Sequence, residues 1–152
     1  MNMKFVKSGE KKRLLKELKE SFGIDKLDSW ILVETGKKKI RGFSGNMTRE
    51  EIKELTEISN LELLGTYLVR KETNVLRLGF DATQILKDKI KKNIFELDDS
   101  QLDSWMNGNN LNEKVEKGIY VLRHADDFVG CGISNGEKII NFVPKERRIR
   151  RS

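Results

Sequence analysis

GIYVLRHADDFVGCGISNGEKIINFVP, residues 118–144, holds three short apolar runs separated by turn residues. The runs from Gly118 to His124 and from Phe128 to Ser134 flank the turn Ala125-Asp126-Asp127, and Glu137 to Val143 returns after Asn135-Gly136. Asn-Gly predicts a type I′ hairpin turn, because both residues tolerate the positive φ that such a turn needs. Gly130 and Gly132 read as positions where a strand bends or where another backbone approaches closely. Short strands in succession with one helix inserted early predict a small, partly closed mixed barrel.

Working outward, Asn93 to Leu97 is a short strand, and Asp98 and Asp99 suit the start of a helix. Leu102, Trp105 and Met106 form that helix's apolar face, and Asn107-Gly108 ends it. Paired acids at a helix start serve capping and the helix dipole more often than catalysis. The charged run Lys87 to Lys92 reads as a connector between two lobes, and its lysines could meet phosphate or simply be solvated.

The earlier half predicts a compact α+β lobe over residues 1–86. Ser8 is expected to cap a helix carrying Leu14, Leu15, Leu18 and Phe22 on one stripe, with Gly23 as its stop. Ser29 to Thr35 and Lys38 to Phe43 form a hairpin across Gly36. Thr48 and Glu51 have the spacing of a capping box, opening a helix that buries Ile52, Leu55 and Ile58. Leu61 to Lys71 and Asn74 to Gly79 are two further strands, after which Asp81 with Gln84 caps a short helix.

The net charge of +6 is unevenly placed. Residues 1–20 carry seven Lys/Arg against three Glu, and residues 145–152 carry five against Glu146. Cationic ends can meet nucleic-acid phosphates and release their counterions, although basic termini also serve solubility. The chain contains no run approaching the roughly 20 apolar residues of a membrane helix, so a soluble, cytoplasmic protein with no membrane partner is expected. Cys131 is the single cysteine, which excludes an intrachain disulfide.

Phe95-Glu-Leu97, the acidic helix ending at Gly108, Leu111, Phe128-Val-Gly-Cys-Gly132, Asn135-Gly136 and Asn141-Phe-Val-Pro-Lys145 together resemble a PUA-like RNA-binding domain. The variety they resemble is the one appended to Sun-family 5-methylcytosine RNA methyltransferases. The resemblance covers roughly residues 93–150, within a domain expected over 93–152 with its basic tail, and rests on the order of several weak motifs. The order of elements is also similar to a two-lobe ribosome-biogenesis architecture, in which a pre-PUA lobe precedes the barrel. It implies a partner RNA, ribosomal or transfer, in RNA modification or ribosome biogenesis. An RNA methyltransferase or ribosome-assembly factor would be a protein partner.

The resemblance implies an RNA-facing surface near the last strand and the tail. Lys145, Arg147, Arg148, Arg150 and Arg151 are the expected phosphate contacts, with Arg123 as an addition, and Gly130 and Gly132 would admit the RNA backbone. Five such contacts imply a salt slope of roughly −3.5 to −4.5.

Catalysis finds little support. Gly130-Cys-Gly132 lies between strands and not before a helix, so it lacks the setting of a cofactor-binding loop and no cofactor is expected. One histidine and one cysteine cannot build the usual zinc shells, and no catalytic or metal residues are assigned. A Cys131–His124 nucleophilic pair is conceivable across a hairpin, against a core role for the cysteine. An adaptor that positions a methyltransferase through the first lobe is the rival to direct RNA binding, and would expose an apolar patch there.

Overall fold

Runs of alternating apolar residues make two sheets, and helices cover their faces. The computed structural model describes residues 3–27, 30–36, 38–43, 46–58, 65–72 and 74–149, with the side chain of residue 58 also left aside. The first sheet is antiparallel with strands in chain order: β1 (Met3–Phe5), β2 (Ile31–Thr35), β3 (Lys39–Phe43), β4 (Thr66–Glu72) and β5 (Val75–Leu78). The second contains β6 (Ile94–Glu96), β7 (Gly118–His124), β8 (Asp127–Ser134) and β9 (Ile139–Asn141), with β6 parallel to β7 and the others antiparallel. Helices α1 (Ser8–Phe22), α2 (Arg49–Ile58), α3 (Phe80–Ile85) and α4 (Asp99–Met106) complete the α+β fold.

The second sheet stays open among the described residues. The outer edge of β9 is taken by Leu111, which exchanges both backbone hydrogen bonds with Ile139 at 3.0 and 2.9 Å. The Asn135-Gly136 turn also differs from expectation. Positive φ falls on Gly136 and not on Asn135, so the type I′ pattern, which needs it at both, does not form. Asn135 instead uses its side-chain oxygen to accept from the N–H groups of Glu137 and Lys138 at 2.9 and 3.0 Å, which fixes the loop without a left-handed asparagine.

Helix ends follow local chemistry where a reciprocal pair exists. Thr48 and Glu51 close the expected box, each side chain accepting from the other's N–H at 3.1 Å. Asp98 and Gln101 do the same for α4 at 2.7 and 3.0 Å. Ser8 and Asp81 do not cap: Ser8 and Asp81 lie within their helices, and the cap positions belong to Lys7 and Gly79. Gly23 takes the left-handed conformation after α1 at φ 73°, as expected of a helix stop.

One core crosses both sheets. Leu14, Leu18 and Phe22 of α1 pack with Ile40, Leu68, Leu76 and Leu78 of the first sheet and with Val121, Phe128 and Cys131 of the second. A second cluster gathers Trp105, Leu111, Leu122, Ile139 and Val143, and a third sets Ile52 of α2 on Val33 and Phe43. The charged connector is docked as well. Lys91 and Lys92 both donate backbone N–H to the Phe22 carbonyl, at 2.7 and 3.1 Å, and the Asn93 side chain donates to the Ser21 carbonyl at 2.6 Å. These bonds satisfy carbonyls that α1 leaves open at its end.

Candidate nucleic-acid interface

The segment Asn141 to Ile149 carries the surface expected to face RNA, and Asn141 fixes its start. The Asn141 side-chain nitrogen donates to the carbonyls of Trp105 and Asn109 at 2.8 Å each, while its oxygen accepts from the Val143 N–H at 2.7 Å. The strand exit is thereby tied to the end of α4. Pro144 then leads into a 3-10 turn over Lys145–Arg147.

The tail arginines diverge from this turn. Arg148 folds back, donating from Nε to the Val143 carbonyl at 3.1 Å and lying across Gly108, where a Cβ would sit 2.6 Å from Nε. Its charge thus rests beside the C-terminal end of α4, the favourable end for a cation. The Ile149 N–H closes the contact on the Met106 carbonyl at 2.8 Å. Arg147 points the other way, forking onto Asp81 of α3 at 3.1 and 2.9 Å. Lys145 is exposed, and Arg150 and Arg151 lie outside the described residues.

The remaining expected contacts sit elsewhere. Arg123 donates from Nε to Glu96 on the neighbouring strand at 2.6 Å and lies 5.6 Å from the Phe128 ring. Gly130 and Gly132 are buried, and what approaches them is protein. A Cβ on Gly130 would lie 3.0 Å from Phe80, and one on Gly132 would meet Ile139 and lie 2.9 Å from Trp105. His124 reaches Asp99 at 2.7 Å. Cys131 sits opposite Val121 and is fully enclosed, and burial pushes its thiol up to about 12, so it is protonated at neutral pH. Among the described residues no group of three or more His, Cys, Asp or Glu is placed to hold a metal.

What the fold brings together is the tail, α3 and the first sheet. A surface groove of about 610 Å³ runs between them, lined by Arg41, Tyr67, Ile85, Pro144 and Arg147 among others. The Tyr67 hydroxyl is buried there without a hydrogen-bond partner, and burial raises its pKa, so it remains protonated at neutral pH. Arg41 and Tyr67 went unremarked as site residues in the sequence because nothing local marks them. They meet only when β3 and β4 pair.

With this geometry in place, a C-terminal segment of the chain identifies itself. Residues 92–149 match the family model of the methyltransferase RsmF PUA domain. This segment is a PUA-like domain of the type found in Sun-family methyltransferases. A search of the curated proteins gave no match. Among the described residues no helix is long and apolar enough to cross a membrane.

Proposed function

We propose that this chain is an RNA-binding protein that acts on ribosomal RNA or its precursors in the cytoplasm, in RNA modification or ribosome biogenesis, without catalysis of its own. The observation that carries the reading is the match of residues 92–149 to a PUA domain of an RsmF-type methyltransferase. The exposed Lys145 of the 3-10 turn, beside the groove that the tail lines, supports it, since a lysine can meet a phosphate as a point charge. The enclosed Cys131 thiol and the engagement of His124 with Asp99 favour binding over nucleophilic chemistry.

The competing reading, an adaptor that positions a methyltransferase through residues 1–86, expects a contiguous apolar patch on that half. Ile85 is the one large apolar side chain exposed there among the described residues, which favours direct RNA binding. Titrating the intact chain with a structured ribosomal RNA fragment and with duplex DNA across a salt series tests the proposal. Preference for the RNA with a clearly negative salt slope is expected, and binding no better than to DNA would overturn it.

A further inference from the structure

Strand register places three cations in a row on the first sheet. Lys39 of β3 stands directly opposite Arg70 of β4, and Arg70 stands directly opposite Arg77 of β5. Residues directly opposite share a face, and like charges in that relation destabilise a sheet. One carboxylate serves both arginines: Glu72 accepts from Arg77 at 3.0 and 3.2 Å and lies 3.5 Å from Arg70. Among the described residues no carboxylate is within ion-pair reach of Lys39, whose ammonium lies over the Tyr67 ring at 5.3 Å. Internal pairing thus leaves the row with excess positive charge.

The row belongs to a face that the helices leave partly uncovered. Helix α1 packs on the opposite face through Leu14, Leu18 and Phe22, and α2 covers the Val33 and Phe43 end of this one. At the far end the Arg77 guanidinium lies 4.2 Å from the Phe142 ring, the residue two before Pro144. Side-chain exposure falls from 37% at Arg70 to 11% at Arg77, so the accessible charge is at Lys39 and Arg70. Tyr67, between these cations and the groove, carries the unpartnered hydroxyl.

We infer that the Lys39–Arg70 face with Tyr67 is a second RNA contact, a track for the phosphodiester backbone that continues along the groove to the Lys145–Arg147 turn. The inference rests on the RNA-binding reading above and extends it to the first half of the chain. Adjacent strands about 4.8 Å apart spread the three cations over about 10 Å, which suits a run of phosphates better than a single ion. Opposed cations that repel one another in the free protein gain a common counter-charge when the backbone binds.

The test uses the full chain and its Lys39→Gln/Arg70→Gln variant, with the ribosomal RNA fragment and the salt series. Losing two phosphate contacts is expected to flatten the salt slope by about 1.4 to 1.8 and to weaken RNA binding. The melting temperature should hold or rise, because the substitutions relieve repulsion. If the intact chain binds the RNA and the double variant matches it in affinity and slope, the track is overturned while RNA binding stands. If the intact chain shows no preference for the RNA over DNA, both readings fail together.

Discussion

Arg147 and Asp81, 66 residues apart, meet in a two-pronged ion pair at 3.1 and 2.9 Å that ties the C-terminal turn to α3. The pair is half exposed on both sides, so solvent screens it and its contribution to stability is small. It does occupy the guanidinium that the tail would otherwise offer to phosphate. Asp81→Asn should therefore strengthen RNA binding and steepen the salt slope by about 0.7 to 0.9, with little change in melting temperature. Unchanged affinity and slope would mean that Arg147 does not reach RNA even when released.

Gly132 faces the opposite demand. It pairs with Asn141 across β8 and β9, and a Cβ there would collide with Ile139 and press on Trp105. Gly132→Ala should cost about 1–3 kcal/mol, the range for overpacking a close-packed core, read as a lower denaturant midpoint. RNA affinity of the folded fraction should be unaffected, since the residue is buried. A selective loss of RNA binding at unchanged stability would restore the glycine to the interface.

What could be read from the sequence was whatever depends on neighbours three or four residues away. The Thr48–Glu51 box, the helix start at Asp98 and the stop at Gly23 formed as expected, because partner and donor lie within one turn. Asp81 had equally good local credentials and went instead to Arg147, a partner no local pattern reveals. Strand β1 went unread, since three residues acquire their meaning only by pairing with β2. The Lys39–Arg70–Arg77 row was invisible for the same reason. Each cation reads as an ordinary strand residue until register aligns the three.

Asn141 shows how a motif used for recognition can be structural. Its amide makes three hydrogen bonds to backbone groups of Trp105, Asn109 and Val143. Asn141→Asp would set carboxylate oxygens against the Trp105 and Asn109 carbonyls in place of N–H donors. It should destabilise the protein by about 1–3 kcal/mol, the usual cost of leaving enclosed polar groups unpaired. Because the tail starts from this anchor, amide hydrogen exchange should also rise at Ile149, whose N–H rests on the Met106 carbonyl. Unchanged protection at Ile149 would show that Arg148 and Val143 hold the tail without it.

Cys131 predicts how stability responds to alkaline pH. Its thiol is raised from an ordinary value of 9.0 to about 12, chiefly by burial, so the folded chain holds a proton that the unfolded chain releases first. The unfolded state then binds fewer protons between about pH 9 and 12, and stability must fall as pH rises through that window. Tyr67, raised by burial from 10.0, adds in the same direction at the upper end. Denaturant midpoints measured from pH 8 upward should decline for the native chain. The decline should be shallower for Cys131→Ala, which removes the titrating group, and shallower again once Tyr67→Phe is added. A Cys131→Ala profile parallel to that of the native chain would show that the thiol ionises as easily in the folded core as outside it, contrary to its burial.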